Sequence, residues 1–421
     1  MRNVWKRVIV FILCIFCLPF TFIGCTPSEE EQPEIVYDFD KSGFYGLCEV
    51  FGDMGGGLDP GITNEWIADM AGGLGVKSFR MWINYADLYL VDENDNLIDN
   101  QAKLAIVRDA IDRLKASGVE NFLAMATTFV YPLGYPTTTC YVVPDPYEEY
   151  DMYLRWLDLQ QKAYKAFAED FPEVEYYEPA NEPEFGGCIH KNGYTHAGSE
   201  VINANYMYTQ YDQVRIVADL CWYVTKAVQS VNPNAKVMNP SLCGLTNTPD
   251  YLEDIYKAIE SSALPAGQEK SDVDPDNYFQ ILNWHPYTFG SDTVTDAWLE
   301  LQNEIYQVAI DHNDGGKPVW FTEFGWTDWG ERNNQETIAN AFIGFYDMVK
   351  AEMPYVQTVM AFRLTTLTTQ DISVGENNFG IMYNKDDPLY GGQPKPAAIA
   401  IAKYIRGEDA DLSMLYKYVK E

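Results

Sequence analysis

Positive charge is scarce in this sequence of 421 residues: 29 Lys and Arg face 62 Asp and Glu, and the formal net charge is −33. So acidic a surface repels phosphate backbones and anionic head groups, which speaks against nucleic-acid binding and electrostatic adsorption to membranes. Cysteine is sparse as well. Of the eight, Cys14, Cys17 and Cys25 sit near the N-terminus, and Cys48, Cys140, Cys188, Cys221 and Cys243 remain for the body of the chain. Five thiols allow at most two disulfides, of which Cys140 with Cys188, both in loops after predicted strands, is the pair the positions suggest. No two stand in CxxC spacing, no zinc-type ligand cluster is visible, and no metal or organic cofactor is implied. A Gly-rich phosphate loop is missing too: Gly52-Asp53-Met54-Gly55-Gly56-Gly57 contains an acidic residue and is followed by Pro60, a poor pyrophosphate cradle. Only residues 8–22 form a long uncharged apolar run, and no other stretch is long enough to span a bilayer. What the chain does have in excess is aromatic residues: 30 Tyr, 21 Phe and 10 Trp. That number exceeds what a core of this size needs and suggests flat rings lining a cleft, a surface suited to sugars.

The N-terminus reads as a targeting segment. Arg2, Lys6 and Arg7 precede the apolar run, which ends in Phe22-Ile23-Gly24-Cys25. This resembles a bacterial lipoprotein signal, cleaved before a Cys that is then lipidated; a plain transmembrane anchor is the alternative. Residues 1–24 are therefore expected to be a signal peptide, and residues 25–40, with lipidated Cys25 followed by Glu- and Pro-rich sequence, a flexible linker. The expected location is outside the cytoplasm, tethered at the bacterial surface or membrane through the lipid.

Between residues 41 and 407 there is no composition break, which leaves no room for a separate binding module, and residues 408–421 read as a tail. β-rich runs at 44–51, 77–84, 119–128, 174–181, 235–239, 278–285, 318–323 and 356–364 alternate with amphipathic segments at 63–71, 103–116, 150–169, 211–231, 251–261, 297–312, 335–351 and 395–405. Such alternation implies parallel strands joined by right-handed helical crossovers. Eight units in one uninterrupted α/β domain predict a (β/α)8 TIM barrel, with Gly118 and Pro172 at helix ends. An open doubly wound sheet would need the phosphate loop that is not there.

In a barrel the chemistry gathers where the strands end. The fourth run ends in Glu178-Pro179-Ala180-Asn181-Glu182-Pro183-Glu184 and the seventh in Thr322-Glu323-Phe324-Gly325-Trp326. Strands four and seven lie on roughly opposite sides of the barrel, so two carboxylates can face each other across the axis. Cleavage of a glycosidic bond requires that arrangement. With His285-Pro286-Tyr287 ending the sixth run, the order and context of these motifs resemble the retaining glycoside hydrolases of clan A, over essentially the whole body of the chain. Families 39 and 5 are the nearest in pattern, and Lys317 to Trp326, Asn377-Asn378-Phe379-Gly380-Ile381 and Lys395-Pro396-Ala397 resemble family 39 members that cut exopolysaccharides.

That resemblance implies Glu182 as general acid/base and Glu323 as nucleophile, acting on a poly- or oligosaccharide. The acid must carry a proton before turnover while the nucleophile is ionised, a division that partial burial of Glu182 beside the second carboxylate would favour. It further implies that Asn181 hydrogen-bonds the sugar 2-hydroxyl, that Arg80 holds the nucleophile, that His285 shapes the acid/base end, and that the Tyr287 hydroxyl touches Glu323. Ser78, Arg80 and Trp82 share one face of the second strand, which suits that role for Arg80. Glu178, deeper on the same face as Glu182, would need a cation partner, and Glu184 lies beyond Pro183, where it could contact substrate but is poorly placed as the acid. The pattern departs from the clan at the eighth strand. A Trp usually floors the sugar site there, whereas this chain has Ala361-Phe362-Arg363-Leu364-Thr365, so Phe362 is expected to stack in its place or Arg363 to enter the cleft. Trp326, Trp329, Tyr131, Tyr135 and Trp82 are further candidate platforms. A non-catalytic glycan-binding lipoprotein on a degenerate barrel is the competing expectation.

Overall fold

The computed structural model describes residues 35–50, 62–135, 141–184, 189–192, 204–262, 264–266, 273–288, 293–328, 334–366 and 378–419. The expected signal peptide, Cys25, the Gly52–Gly57 segment, Cys140, Cys188 and Trp329 lie outside these residues.

The chain from Val36 onward packs as one unit. Its elements run β1 (Tyr45–Glu49), α1 (Asn64–Leu74), β2 (Ser78–Asn84), α2 (Tyr85–Leu88), β3 (Tyr89–Val91), β4 (Leu97–Asp99), α3 (Gln101–Ser117), β5 (Asn121–Thr128), α4 (Tyr150–Asp170), β6 (Tyr176–Glu178), α5 (Gln210–Val231), β7 (Lys236–Val237), α6 (Thr248–Glu260), β8 (Leu282–Asn283), α7 (Asp296–Asp311), β9 (Val319–Phe324), α8 (Gln335–Glu352), β10 (Val356–Phe362) and α9 (Pro396–Arg406). Eight strands form one parallel sheet in the order β7-β6-β5-β2-β1-β10-β9-β8. Parallel bridges between Met238 and Ile281 and between Leu242 and Trp284 join its two edges. The expected (β/α)8 barrel is therefore closed. β3 and β4 form a small antiparallel hairpin that the hydrophobic pattern did not signal.

The predicted helices match closely because their caps are written locally. Thr63, Thr209, Thr295 and Asn334 each accept a backbone N–H of the first turn of α1, α5, α7 and α8. Gly118 ends α3 at φ 100°, a left-handed conformation that suits glycine. Strands fare less evenly: β6, β7 and β8 are two or three residues long where runs of five to eight were expected. Beyond those short pairings the backbone leaves the ladder to build the rim, and isolated bridges such as Asn181 with Ser241 take over.

Residue alternation divides the core into two layers. Phe79, Met81 and Ile83 of β2 belong to the layer between sheet and helices, with fully buried Trp66, Trp156 and Trp284. Leu123, Met238, Ile281, Trp320 and Met360 fill the barrel interior. Much of the aromatic excess is thus spent between sheet and helices. Residues near both ends of the described domain pack on the barrel. Tyr37, placed in the flexible linker, packs its ring 6.4 Å from those of Tyr306 and Tyr355. In the tail, Leu415 is buried against α1, and Lys417 and Tyr418 both bond Asp69. Apolar and aromatic side chains hold both segments to the barrel.

The glycine of Thr322-Glu323-Phe324-Gly325 has a packing reason. A Cβ at Gly325 would lie 2.2 Å from the Phe362 carbonyl oxygen and 3.3 Å from the Phe379 ring. Gly325→Ala should therefore lower stability by about 1–3 kcal/mol through overpacking, read as a reduced urea midpoint at unchanged m-value; an unchanged midpoint would contradict this close approach.

Candidate active site

Arg80 occupies the centre of the barrel with no exposed surface. Its Nε donates to Glu178 Oε2 (2.9 Å), its Nη2 to Glu178 Oε1 (2.5 Å) and Asn181 Oδ1 (2.7 Å), and its Nη1 to Glu323 Oε1. Nη1 also approaches Cys48 Sγ at 3.4 Å, and burial pushes that thiol up to about 12 despite the neighbouring cation, so it stays neutral. A guanidinium's planar fork serves several acceptors at fixed angles, which a lysine could not do. Burial works against the charge, but Glu178 and Glu323 outweigh it and hold Arg80 protonated. Glu178, which needed a cation partner at this depth, finds it here, and Ser241 Oγ donates to it at 2.7 Å.

Glu323 reaches this centre through an irregularity in its strand. In the pairing of β9 with β10, Phe321 stands opposite Val359 and Phe324 opposite Ala361, so β9 carries one extra residue. Simple alternation from Trp320, inside the barrel, would send Thr322 inward and Glu323 outward. The bulge lets both face the axis, a use of bulges common beside functional sites. Tyr287 then donates its hydroxyl to Glu323 Oε2 at 3.0 Å. Glu323 is 6% exposed.

Glu182 is brought in differently. It lies beyond β6 with φ 44°, a conformation unfavourable for a non-glycine residue, and its N–H donates to the Ser241 carbonyl at 2.8 Å. Such strain costs about 1–3 kcal/mol and is found where function over-determines the backbone. Its side chain is 24% exposed, and Oε1 lies 2.8 Å from His285 Nδ1. His285 Nε2 lies 3.2 Å from Thr322 Oγ1, whose proton goes to Asn283 Oδ1 at 2.8 Å. Both ring nitrogens thus face acceptors, a setting that favours the imidazolium. Burial opposes that charge, but the Glu323 carboxylate and the hydrogen bond to Glu182 outweigh it, and the His285 pKa is raised above its ordinary value.

One ligand atom each from Glu182, His285 and Glu323 lies within 4.8 Å of the others, a donor set that could hold a divalent metal. Yet both Glu323 oxygens already accept protein hydrogen bonds, and the Arg80 cation stands beside them. These partners satisfy Glu323 without an added cation.

Glu184 points away from the axis toward the loop after β7, accepting from the Cys243 N–H and, at 3.3 Å, from Thr248 Oγ1. Burial pushes its carboxyl up to about 7, and its Oε2 has no hydrogen-bond partner among the described residues.

At the departure from the clan pattern, Arg363 does not enter the cleft as a free cation. It pairs with Glu49 at the end of β1, which also accepts the Thr365 N–H. Phe362 lies parallel to Trp82, centroids 6.2 Å apart and planes at 13°, with the tilted Phe379 ring 5.8 Å away. Trp82 donates its indole N–H to Cys48 Sγ at 3.1 Å. Trp326, expected as a platform, packs edge-on against Phe342 of α8 and is 6% exposed. Past the end of β9 the chain turns outward over the helix layer, so its ring is used in packing. Tyr131 and Tyr135 stack on each other, and their hydroxyls bond the Val142 carbonyl and Glu149, so both are engaged in packing. Residues the motifs did not single out for the site are Ser241, Thr322, Asn283 and Cys48. Ser241 and Asn283 lie at or just beyond the ends of β7 and β8, where position alone could have marked them.

A raised histidine pKa has a defined consequence for stability. His285 contributes stability fully present below its unfolded value of about 6.5 and lost as pH rises through the higher folded value. The thermal midpoint of the protein should exceed that of His285→Gln most at mildly acidic pH, and the gap should shrink toward alkaline pH; a gap independent of pH would show that folding does not shift the His285 pKa, and one that shrinks toward acid would show that the fold holds it neutral.

No protein-family model matches this sequence, and no curated protein matches it. Solved structures do. A family 39 glycoside hydrolase from the gut symbiont Bacteroides cellulosilyticus WH2 superimposes with a TM-score of 0.58 at 14% identity, over 90% of this chain and 66% of the other. The GH5-4 broad-specificity endoglucanase of Clostridium acetobutylicum gives 0.54 at 15% identity, over 85% and 96%. A β-glucosidase of Thermotoga maritima, solved with a substituted glucoimidazole, gives 0.52 at 15%, over 83% and 94%. The chain spans 66% of the length of the first of these. It shares the (β/α)8 fold of clan A glycoside hydrolases.

Proposed function

We propose that the protein is a retaining glycosidase that cleaves O-glycosidic bonds of a neutral poly- or oligosaccharide. The observation that carries this is the placement of Glu182 and Glu323 on the rim from β6 and β9, with ligand atoms within 4.8 Å around His285. Retaining enzymes hold their carboxyls about 5–5.5 Å apart, whereas inverting ones need roughly 6.5–9.5 Å for an intervening water.

In the first step a Glu323 oxygen bonds the anomeric carbon, the glycosidic C–O bond breaks, and Glu182 gives its proton to the departing oxygen. In the second, Glu182 takes a proton from water, the water oxygen bonds the anomeric carbon, and the ester to Glu323 breaks. Arg80 and Tyr287 orient Glu323 and offset its charge, which frees no conformational options for the attacking group. Asn181, with Oδ1 engaged by Arg80, has its amide NH2 to donate to the sugar 2-hydroxyl. His285, 2.8 Å from Glu182 Oε1, holds that side chain in place. The two arginines at the site, Arg80 and Arg363, are both bonded to carboxylates. Together with the chain's net charge of −33, that favours an uncharged glycan over a polyuronate or sulfated one.

On a panel of neutral polysaccharides, Glu182→Ala and Glu323→Ala should each lower kcat by at least about 10²–10⁴-fold, with the Glu182 variant partly spared on aryl glycosides whose leaving groups need no proton. Equal product release by the parent and both variants would eliminate these roles, and binding without hydrolysis by the parent would favour a glycan-binding protein. Tethering through Cys25 is part of the same proposal, supported by the sequence from Arg2 to Cys25. Cys25→Ser should move the expressed protein out of the detergent-soluble lipoprotein fraction, and unchanged partitioning would contradict lipidation there.

A further inference from the structure

The segment that returns after β10 carries an aromatic residue to the site that none of the catalytic roles uses. Ile381 N–H donates to the Arg363 carbonyl, Met382 N–H to that of Leu364 and Thr366 N–H to that of Met382, so residues 381–382 lie along the continuation of β10. The approach is tight at Gly380, where a Cβ would fall 1.9 Å from the Thr366 backbone nitrogen. A buried ion pair anchors it from behind. Lys395 Nζ, on a side chain 3% exposed, bonds Asp328 Oδ2 at 2.8 Å and Thr366 Oγ1 at 2.7 Å, and the Lys395 N–H donates to the Ile381 carbonyl. The Asp328 N–H reaches the Asn378 carbonyl at 3.3 Å. The loops after β9 and β10 are thereby tied together with Phe379 between them.

Phe379 meets Tyr287 edge-on with centroids 5.6 Å apart, lies 5.8 Å from Phe362, and covers Gly325 two residues past Glu323. Phe362, where the clan pattern leads one to expect the sugar floor, is 6% exposed and has Trp82 and Phe379 against it. Its ring therefore has little face to offer a ligand. Phe379, Trp82 and Tyr287 are only half-buried. Among these three, the polar atoms of Trp82 and Tyr287 are engaged by Cys48 and Glu323, so what faces outward beside Glu323 is chiefly ring carbon.

We propose that Phe379 is a substrate-binding wall beside the nucleophile, stacking on the apolar C–H face of a sugar ring and setting specificity, with Phe362 as its backing. This rests on the glycosidase reading for the position of the sugar, and it extends that reading by moving the stacking surface from β10 to the loop beyond it. A wall of ring carbon rewards an uncharged ring with an exposed C–H face and leaves a charged substituent unpaired.

The test compares the parent with Phe379→Ala, Phe379→Leu and Phe379→Tyr on the neutral glycan the parent cuts best, with binding of the same glycan measured calorimetrically on the Glu323→Ala background. Phe379→Ala and Phe379→Leu should lose roughly tenfold or more in kcat/KM and in affinity, while Phe379→Tyr, which keeps the face, should stay within about threefold. Phe379→Leu keeps bulk in the core, so the comparison survives if the Ala variant folds poorly; thermal midpoints report that. Hydrolysis by Phe379→Ala and Phe379→Leu within twofold of the parent overturns the wall and leaves the glycosidase reading standing. Glycan binding that depends on Phe379 in a parent without hydrolytic activity upholds the wall and removes the catalytic reading. Neither binding nor hydrolysis of any glycan in the panel overturns both.

Discussion

A single buried cation organises this barrel. Arg80 sits at its centre and bonds carboxylates from β6 and β9 together with an amide from the rim. An ion-sized group taken out of water costs several kcal/mol, which only close, well-oriented partners offset. The guanidinium therefore demands Glu178 below, Glu323 beside and Asn181 above, and each of those groups in turn demands the cation. Remove Arg80 and two carboxylates would be left buried near one another. The requirement links strands on different sides of the barrel more specifically than the apolar layers can.

Around that centre, polar side chains orient one another in sequence. Glu323 is oriented by Arg80 and Tyr287, Glu182 by His285, and His285 by the hydroxyl of Thr322, which Asn283 orients in turn. Chains of this kind, spread over short strand ends, allow two carboxylates to differ in exposure and hydrogen bonding while staying close. Glu182 keeps 24% of its side chain in contact with solvent and Glu323 only 8%. A similar economy governs the second arginine, Arg363, whose pairing with Glu49 takes a positive charge away from the cleft and leaves the aromatic side chains to define its character.

The eight-unit alternation was legible because helix periodicity and capping residues are local, and the helices matched within a few residues. The rim was less legible. Runs such as 278–285 read as strand throughout, yet only Leu282–Asn283 pair as one, since a β-rich composition describes burial on both faces as readily as it describes ladder pairing. Trp326 shows the same ambiguity: an aromatic residue two positions past a strand end is equally suited to a cleft or to a helix layer, and here Phe342 and Phe345 claim it.

Sequence alone determined the fold class, the acidic balance of the chain, the two glutamates in their strand-end motifs, and Arg80 on the inward face of its strand. These follow from composition, periodicity and short-range order, all of which are written residue by residue. Tertiary structure decided how the glutamates turn inward, Glu323 by a bulge and Glu182 by a left-handed backbone. It also decided that Arg363 is neutralised by Glu49 and that Phe379 arrives beside Glu323 from a loop. Each of those outcomes depends on a partner contributed by a distant strand, and the energy of a buried charge or a packed ring exists only once that partner is in place.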